Sequence, residues 1–203
     1  MDRIFNIIIA GVGGQGILTA SEILAKVAME VGLDAKKSEV HGMSQRGGSV
    51  VSHVRFGKKV YSPLVEKGAC DIILSFEKSE ALRWVHYLKN EGGKVVINDL
   101  EIIPTTVSLK LDTYPTNIEE QIRDKAKAEV ILVPATDLAR QAGDARTANT
   151  VLLGVISNFL PFEDKVWEKV ISDNVKKETV EVNLKAFYLG KNSTKNKRSP
   201  LYG

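Results

Sequence analysis

The stretch SEVHGMSQRGGSVVSHVRFG, residues 38–57, gathers side chains able to do chemistry. His41 could exchange a proton near neutral pH, and Arg46 presents a planar fork of donors suited to a carboxylate or phosphate. Ser44 has no obvious base, so a nucleophilic triad is unsupported and no catalytic residue is assigned. Gly47 and Gly48, next to Gln45 and Arg46, describe a loop shaped to meet an anion or a neighbouring subunit rather than a reacting centre. His53, in the strand that follows, reads as a hydrogen-bonded structural residue.

A second candidate is GVGGQG, Gly11 to Gly16, which fits G-x-G-x-x-G through Gly11, Gly13 and Gly16. Glycines let the backbone turn sharply and approach a ligand, and the amides of the following helix favour an anionic group. Glu39 falls where an acidic ribose ligand would stand at the end of a second strand. The plain alternative is that Gly11, Gly13, Gly14 and Gly16 only let the helix pack closely on the strand. In ARTANTVLLGVISNFL, Asn149 in the first helical turn could reach a ligand across the carboxyl edge of a sheet, with Thr147 as the expected cap.

The elements that must carry these residues follow from periodicity. Residues 4–10 are nearly continuous in apolar side chains, as in a strand buried on both faces, and Ile17, Ala20, Leu24, Val27, Ala28 and Val31 fall at helical spacing up to Gly32. Strands are expected at 34–40, in DIILSF, in GKVVIN and in EVILVPAT, and SVVSHVRFGKKVYSPL alternates like a hairpin closed by GKK. Helices are expected at 79–88, 118–127, 147–160, 163–174 and 178–189. The pattern predicts one α/β domain over residues 1–190: an open, mostly parallel, Rossmann-like sheet with a β-hairpin addition and a helical C-terminal third. Trp84, Phe162 and Trp167 fall at positions that would be exposed and suit a partner surface, although amphipathic helices also carry such aromatics without any function.

Composition narrows the classes. The four Lys and Arg of residues 191–203 take the formal charge from −1 to +3, so the positive balance belongs to a basic, flexible tail and not to a nucleic-acid face. The single Cys70 allows neither an internal disulfide nor a four-thiolate cluster, and His41, His53 and His86 lack metal-ligand spacing, so no metal site is expected. The apolar run IFNIIIAG is too short for a signal core or a membrane span, which points to a cytoplasmic protein.

Several motifs occurring in order, GVGGQGI, SEVHGMSQRGGSVVSHVRFG, YSPL, RTANTVLLG and VEVNLKAFYLG, closely resemble the gamma-type domain of the 2-oxoacid:ferredoxin oxidoreductases. The HGMSQRGGS form resembles the small-subunit form of the indolepyruvate branch. The resemblance implies a subunit that binds no cofactor by itself within a complex oxidatively decarboxylating aryl 2-oxoacids to aryl-acetyl-CoA. Thiamine diphosphate, magnesium and iron–sulfur clusters would reside on a large (alpha) partner subunit, with ferredoxin taking the electrons. The residues that would then touch coenzyme A or the partner are Gly11, Gly13, Gly14, Gln15, Gly16, His41, Ser44, Gln45, Arg46, Gly47, Gly48 and Asn149. Three other readings stay open: a pyruvate or branched-chain 2-oxoacid enzyme of the same family, a free-standing dinucleotide-binding reductase resting on GVGGQG and Glu39, and a purely structural partner.

Overall fold

The computed structural model describes residues 3–41 and 48–194. The chain enters on β1 (Phe5–Val12), turns through the glycine loop into α1 (Ile17–Glu30), and returns on β2 (Asp34–His41) and β3 (Ser49–Gly57). β4 (Ile72–Ser75), α2 (Lys78–Trp84) and a 3-10 turn at Val85–Tyr87 follow, then β5 (Lys94–Asn98), α3 (Thr105–Ser108), α4 (Ile118–Ala126) and β6 (Glu129–Val133). The last third is helical: α5 (Ala135–Ala142), α6 (Ala148–Ser157), α7 (Asp164–Asn174) and α8 (Val180–Ser193). None of the described helices is long and apolar enough to cross a membrane.

The six strands run in the order β2-β3-β1-β4-β5-β6, parallel from β1 through β6 and antiparallel where β3 pairs with β1 and with β2. The expected α/β class and mostly parallel sheet are as predicted. Alternation divides each strand between two cores. Ile7, Ile9, Val54 and Leu74 pack against α1, α6, α7 and α8, while Ile8, Ala10, Val51 and Ile73 face α2 and α4. α1 ends as the sequence suggests: Gly32 is left-handed (φ 80°), its N–H donates to Met29 O and that of Leu33 to Ala28 O, a Schellman closure.

α6 is buried along its length and lies directly on α8. The crossing is possible because each helix carries a glycine at the contact. A Cβ on Gly154 would stand 2.0 Å from Phe187 O, and one on Gly190 would stand 1.9 Å from Val151 O.

Four expectations need correction. The hairpin is β2–β3, with no strand at 58–64. Beyond Gly57 the backbone is satisfied by side chains instead of a ladder: Val60 N–H donates to Asp34 (2.9 Å), Arg55 donates to the carbonyls of Ser62 (2.8 Å) and Leu64 (3.1 Å), and Val65 N–H donates to His53 Nδ1 (3.1 Å). Trp167 is fully buried and Phe162 nearly so, packed with Phe187 and Phe56, and Trp84 is half-buried beside His53 and Tyr87. Trp167 and Phe162 therefore belong to the core, whereas Trp84 packs against it and stays partly exposed. Thr147 holds the N-cap position of α6 but makes no side-chain capping bond; its hydroxyl donates to Asp144 O at 2.7 Å. Finally, β6 ends at Val133 and the following PAT does not extend it. Pro134 is the N-cap residue of α5, whose first amide, Ala135 N–H, donates 3.0 Å to Asn98 Oδ1 from the neighbouring strand.

Candidate functional site

Both sequence candidates converge on the carboxyl edge of β1. Because β3 runs antiparallel beside β1, it begins where β1 ends: Val12 is opposite Ser49, and Gly11 is opposite Val50. Val50 in turn pairs with His41 on β2, so His41 lies on the same cross-strand row, two strands from Gly11. At the strand spacing of about 4.8 Å this separates their backbones by about 10 Å. The glycine loop and the root of the HGMSQRGGS loop are joined directly, Gly13 N–H donating to Gly48 O at 2.9 Å. Ser44, Gln45, Arg46 and Gly47 lie outside the described residues.

Within the glycine loop each residue has a distinct task. The Gln15 carboxamide accepts from Val12 N–H (2.7 Å) and donates to Phe76 O (3.0 Å), so it ties the end of β1 to the end of β4. In open α/β sheets ligands enter at the carboxyl-edge crevice where successive helices switch faces, which here is the β1/β4 gap between α1 and α2. Gln15 occupies the neck of that gap. Gly11 permits this arrangement, since a Cβ there would lie 2.7 Å from Gln15 Oε1 and 2.8 Å from Phe76 Cβ. Gly16 is left-handed (φ 86°) against Asn149, whose amide nitrogen would be 2.9 Å from an added Cβ. Gly14, also left-handed (φ 100°), is exposed with open space around it.

α1 begins without a side-chain cap and with no acidic residue in its first turn. Gly16, at the N-cap, has no side chain that could cap the leading amides, and a helix start of this kind is one that can meet an anionic group. Asn149 Oδ1 accepts from Thr150 N–H at 2.9 Å, and Asn149 lines a groove of about 490 Å³ with Thr19, Arg146, Lys176 and Asn183. A second groove of about 510 Å³, lined by Lys78, Glu101, Tyr114 and Arg123, lies away from the glycine loop, against α4.

The opposite side of the edge carries two buried carboxylates that the motifs did not reveal. Glu77 caps α2 by accepting from Glu80 N–H (3.0 Å), and also receives the hydroxyls of Ser79 (2.6 Å) and Tyr114 and the amide of Ile102 (3.3 Å). Burial and this carboxylate push the Tyr114 hydroxyl's pKa upward. Glu80, 4% exposed, accepts from Ser49 Oγ (2.5 Å) and from Arg83 Nε (3.0 Å). The sequence signal, Glu77 three residues before Glu80, was concealed because Glu is an unusual cap and Ser79 looked like the helix start.

Glu39 does not stand at a ribose site. β3 separates its strand from β1, and its carboxylate accepts from Lys37 (2.8 Å) and from Ser21 (3.4 Å). The remaining reactive groups have other occupations. His53 Nδ1 is engaged by Val65 N–H, which fixes the neutral tautomer, and burial holds its pKa below the ordinary 6.5. Cys70 is buried, and its thiol is pushed upward, the opposite of an activated nucleophile. Among the described residues no group of three or more His, Cys, Asp or Glu could hold a metal.

Comparison with known proteins agrees in sequence and in shape. The family model for pyruvate ferredoxin/flavodoxin oxidoreductase matches residues 6–193. Indolepyruvate oxidoreductase subunit IorB of Thermococcus kodakarensis is 43% identical over 195 residues, covering 94% of this chain and 96% of that one. The IorB subunit of Archaeoglobus fulgidus is 40% identical, covering 92% and 94%. The gamma subunit of a keto/oxoacid ferredoxin oxidoreductase from Geobacter sulfurreducens superposes with a TM-score of 0.69 at 25% identity, covering 93% of this chain and 96% of that one. A 2-oxoglutarate:ferredoxin oxidoreductase from Magnetococcus marinus, whose structure holds 2-oxoglutarate, coenzyme A and succinyl-CoA, shares the fold with a TM-score of 0.75 at 22% identity. There the match covers 97% of this chain but 32% of the longer one, so the same fold is one part of a larger polypeptide. With the family model covering nearly all the described residues and relatives matched almost end to end, the chain belongs to the pyruvate ferredoxin/flavodoxin oxidoreductase family.

Proposed function

We propose that this chain is the small subunit of an indolepyruvate:ferredoxin oxidoreductase and that it supplies a binding surface rather than the reacting groups. The observation carrying this reading is the 43% identity to an indolepyruvate oxidoreductase subunit that extends over almost the whole of both chains. The larger subunit would bring thiamine diphosphate with its magnesium and the iron–sulfur clusters, and ferredoxin would take the electrons. The chain's single cysteine, Cys70, is too few for the thiolates of an iron–sulfur cluster, which supports that division of labour.

Coenzyme A is the ligand proposed for the edge formed by Gly13, Gly14, Gly16 and Gly48 with Arg46. When bound it supplies the thiol that accepts the acyl group. The residues fit a phosphate: exposed backbone at Gly14, uncapped amides at the start of α1, and the junction of the two loops at Gly13 and Gly48. Asn149, against Gly16, supports the loop from behind. This chain's part in turnover is then to hold the phosphate end of the cosubstrate while the larger subunit carries out the decarboxylation. A free-standing dinucleotide reductase is the weaker reading, because Glu39 is paired with Lys37 and stands a full strand too far from β1.

The test is anaerobic co-expression with the large subunit, followed by dye reduction with indolepyruvate and coenzyme A. Activity that needs both chains, with thiamine and iron found on the larger one, is the expected result. A lone, colourless protein that binds NAD(H) would overturn the proposal, and a preference for pyruvate or a branched-chain 2-oxoacid would reassign the substrate within the family.

A further inference from the structure

We infer that Glu80 is a positioning residue for the coenzyme A site: from α2 it fixes the root of the HGMSQRGGS loop against the glycine loop. The inference rests on the coenzyme A reading above. A carboxylate that is 4% exposed has given up most of its hydration, which is costly unless its bonds compensate. Glu77, three residues earlier, spends its oxygens on its own helix start and on the chain between β5 and α4. Glu80 instead reaches out of α2 to Ser49 Oγ at 2.5 Å, on the first residue of β3. Its other oxygen is engaged by Arg83 Nε at 3.0 Å.

The geometry makes this bond half of a clamp. Ser49 is opposite Val12, and side chains alternate along β3, so Ser49 points to the α2 face together with Val51. The preceding residue, Gly48, is held through its carbonyl by Gly13 N–H. Two consecutive residues at the base of the loop are thus pinned from different directions, one by the ligand-facing backbone and one by a buried carboxylate. Neither Glu80 nor Ser49 need touch the ligand. Their effect is to keep the loop root registered with Gly13, so that the site does not have to be organised at the expense of binding.

The experiment uses the assembled two-subunit complex, with Glu80→Ala, Ser49→Ala, their combination, Glu80→Gln and Arg46→Ala. Glu80→Ala and Ser49→Ala should each raise the KM for coenzyme A by about tenfold, with kcat at saturating coenzyme A held within about twofold. The double variant should be no worse than the single ones, because both remove one interaction. Glu80→Gln keeps an acceptor for the serine hydroxyl and should recover most of the affinity. If Arg46→Ala raises the KM while Glu80→Ala and Ser49→Ala do not, the positioning role is overturned and the coenzyme A site stands. If all three leave it unchanged, the coenzyme A reading falls and the positioning role with it. Should Glu80→Ala prevent assembly, Ser49→Ala, a partly exposed single-atom deletion, decides by the same KM criterion.

Discussion

Gly13 donates its backbone N–H to the carbonyl of Gly48 at 2.9 Å, joining two loops that are 35 positions apart in sequence. The contact exists because β3 is antiparallel to β1 and starts where β1 stops. If the junction holds a phosphate, Arg46 supplies the charge-assisted part. Arg46→Ala is then expected to cost about 1.5–3 kcal/mol in coenzyme A binding, roughly a tenfold to hundredfold rise in KM. Thiamine and iron content should stay as in the unaltered complex. An unchanged KM with loss of assembly would instead mark the loop as an inter-subunit surface.

Gly14 and Gly16 differ in what surrounds them. Both are left-handed, so alanine at either strains the backbone by about 1–2 kcal/mol. At Gly14 nothing else lies within 4 Å, and Gly14→Ala should fold with a slightly lower Tm while weakening coenzyme A binding. At Gly16 the new Cβ also meets Asn149, so Gly16→Ala should lose more stability. Thermal unfolding of the two variants side by side gives the comparison, and equal Tm losses would contradict it.

The α6–α8 contact predicts the most damaging small substitutions. Gly154→Ala or Gly190→Ala would drive a methyl to about 2 Å from a backbone carbonyl of the facing helix. The helices must separate, which should cost at least about 3 kcal/mol and give poorly soluble protein. Circular dichroism melts would show it. A loss under about 1 kcal/mol would mean that the pair can slide apart freely.

His53 makes stability depend on pH with a definite sign. Its folded pKa lies below the unfolded value of 6.5, so the folded state binds fewer protons once the pH drops under that value. Its contribution is complete above pH 6.5 and is lost as the pH falls toward the folded pKa, with a slope of at most about 1.4 kcal/mol per pH unit. Protonation also removes the acceptor for Val65 N–H and loosens the segment after Gly57. Denaturant midpoints between pH 5 and 8 should therefore decline on the acid side. In His53→Phe that decline should flatten, with a cost of about 1–3 kcal/mol at neutral pH from the orphaned amide.

The local grammar of this chain was enough for its class, its sheet and most of its helices. Continuous apolar runs announced β1, β4 and β5, the i, i+3, i+4 spacing announced α1, and Gly32 closed it as a left-handed residue should. Motif content also marked the glycine loop, Gly48 and Asn149, because glycines and short polar residues at element ends signal special backbone geometry whatever the tertiary context. What local pattern could not decide was pairing and the destination of side chains. Alternation through residues 49–64 looks the same whether a strand pairs with the segment after it or with the one before it; Asp34, His53 and Arg55, taking up the backbone of the later segment, made the choice. α5 begins where Asn98 of another strand accepts its first amide, and Trp167 turns inward because Phe162 and Phe187 wait there. Glu80 shows the same limit at the site. As a sequence position it is one helix-surface glutamate among many, and only the folding of α2 across the start of β3 turns it into a buried partner of Ser49. Residue type and spacing set what each segment can become, since backbone propensity and side-chain period are local; which hydrogen bonds are finally made depends on long-range contacts that exist only once the sheet has closed.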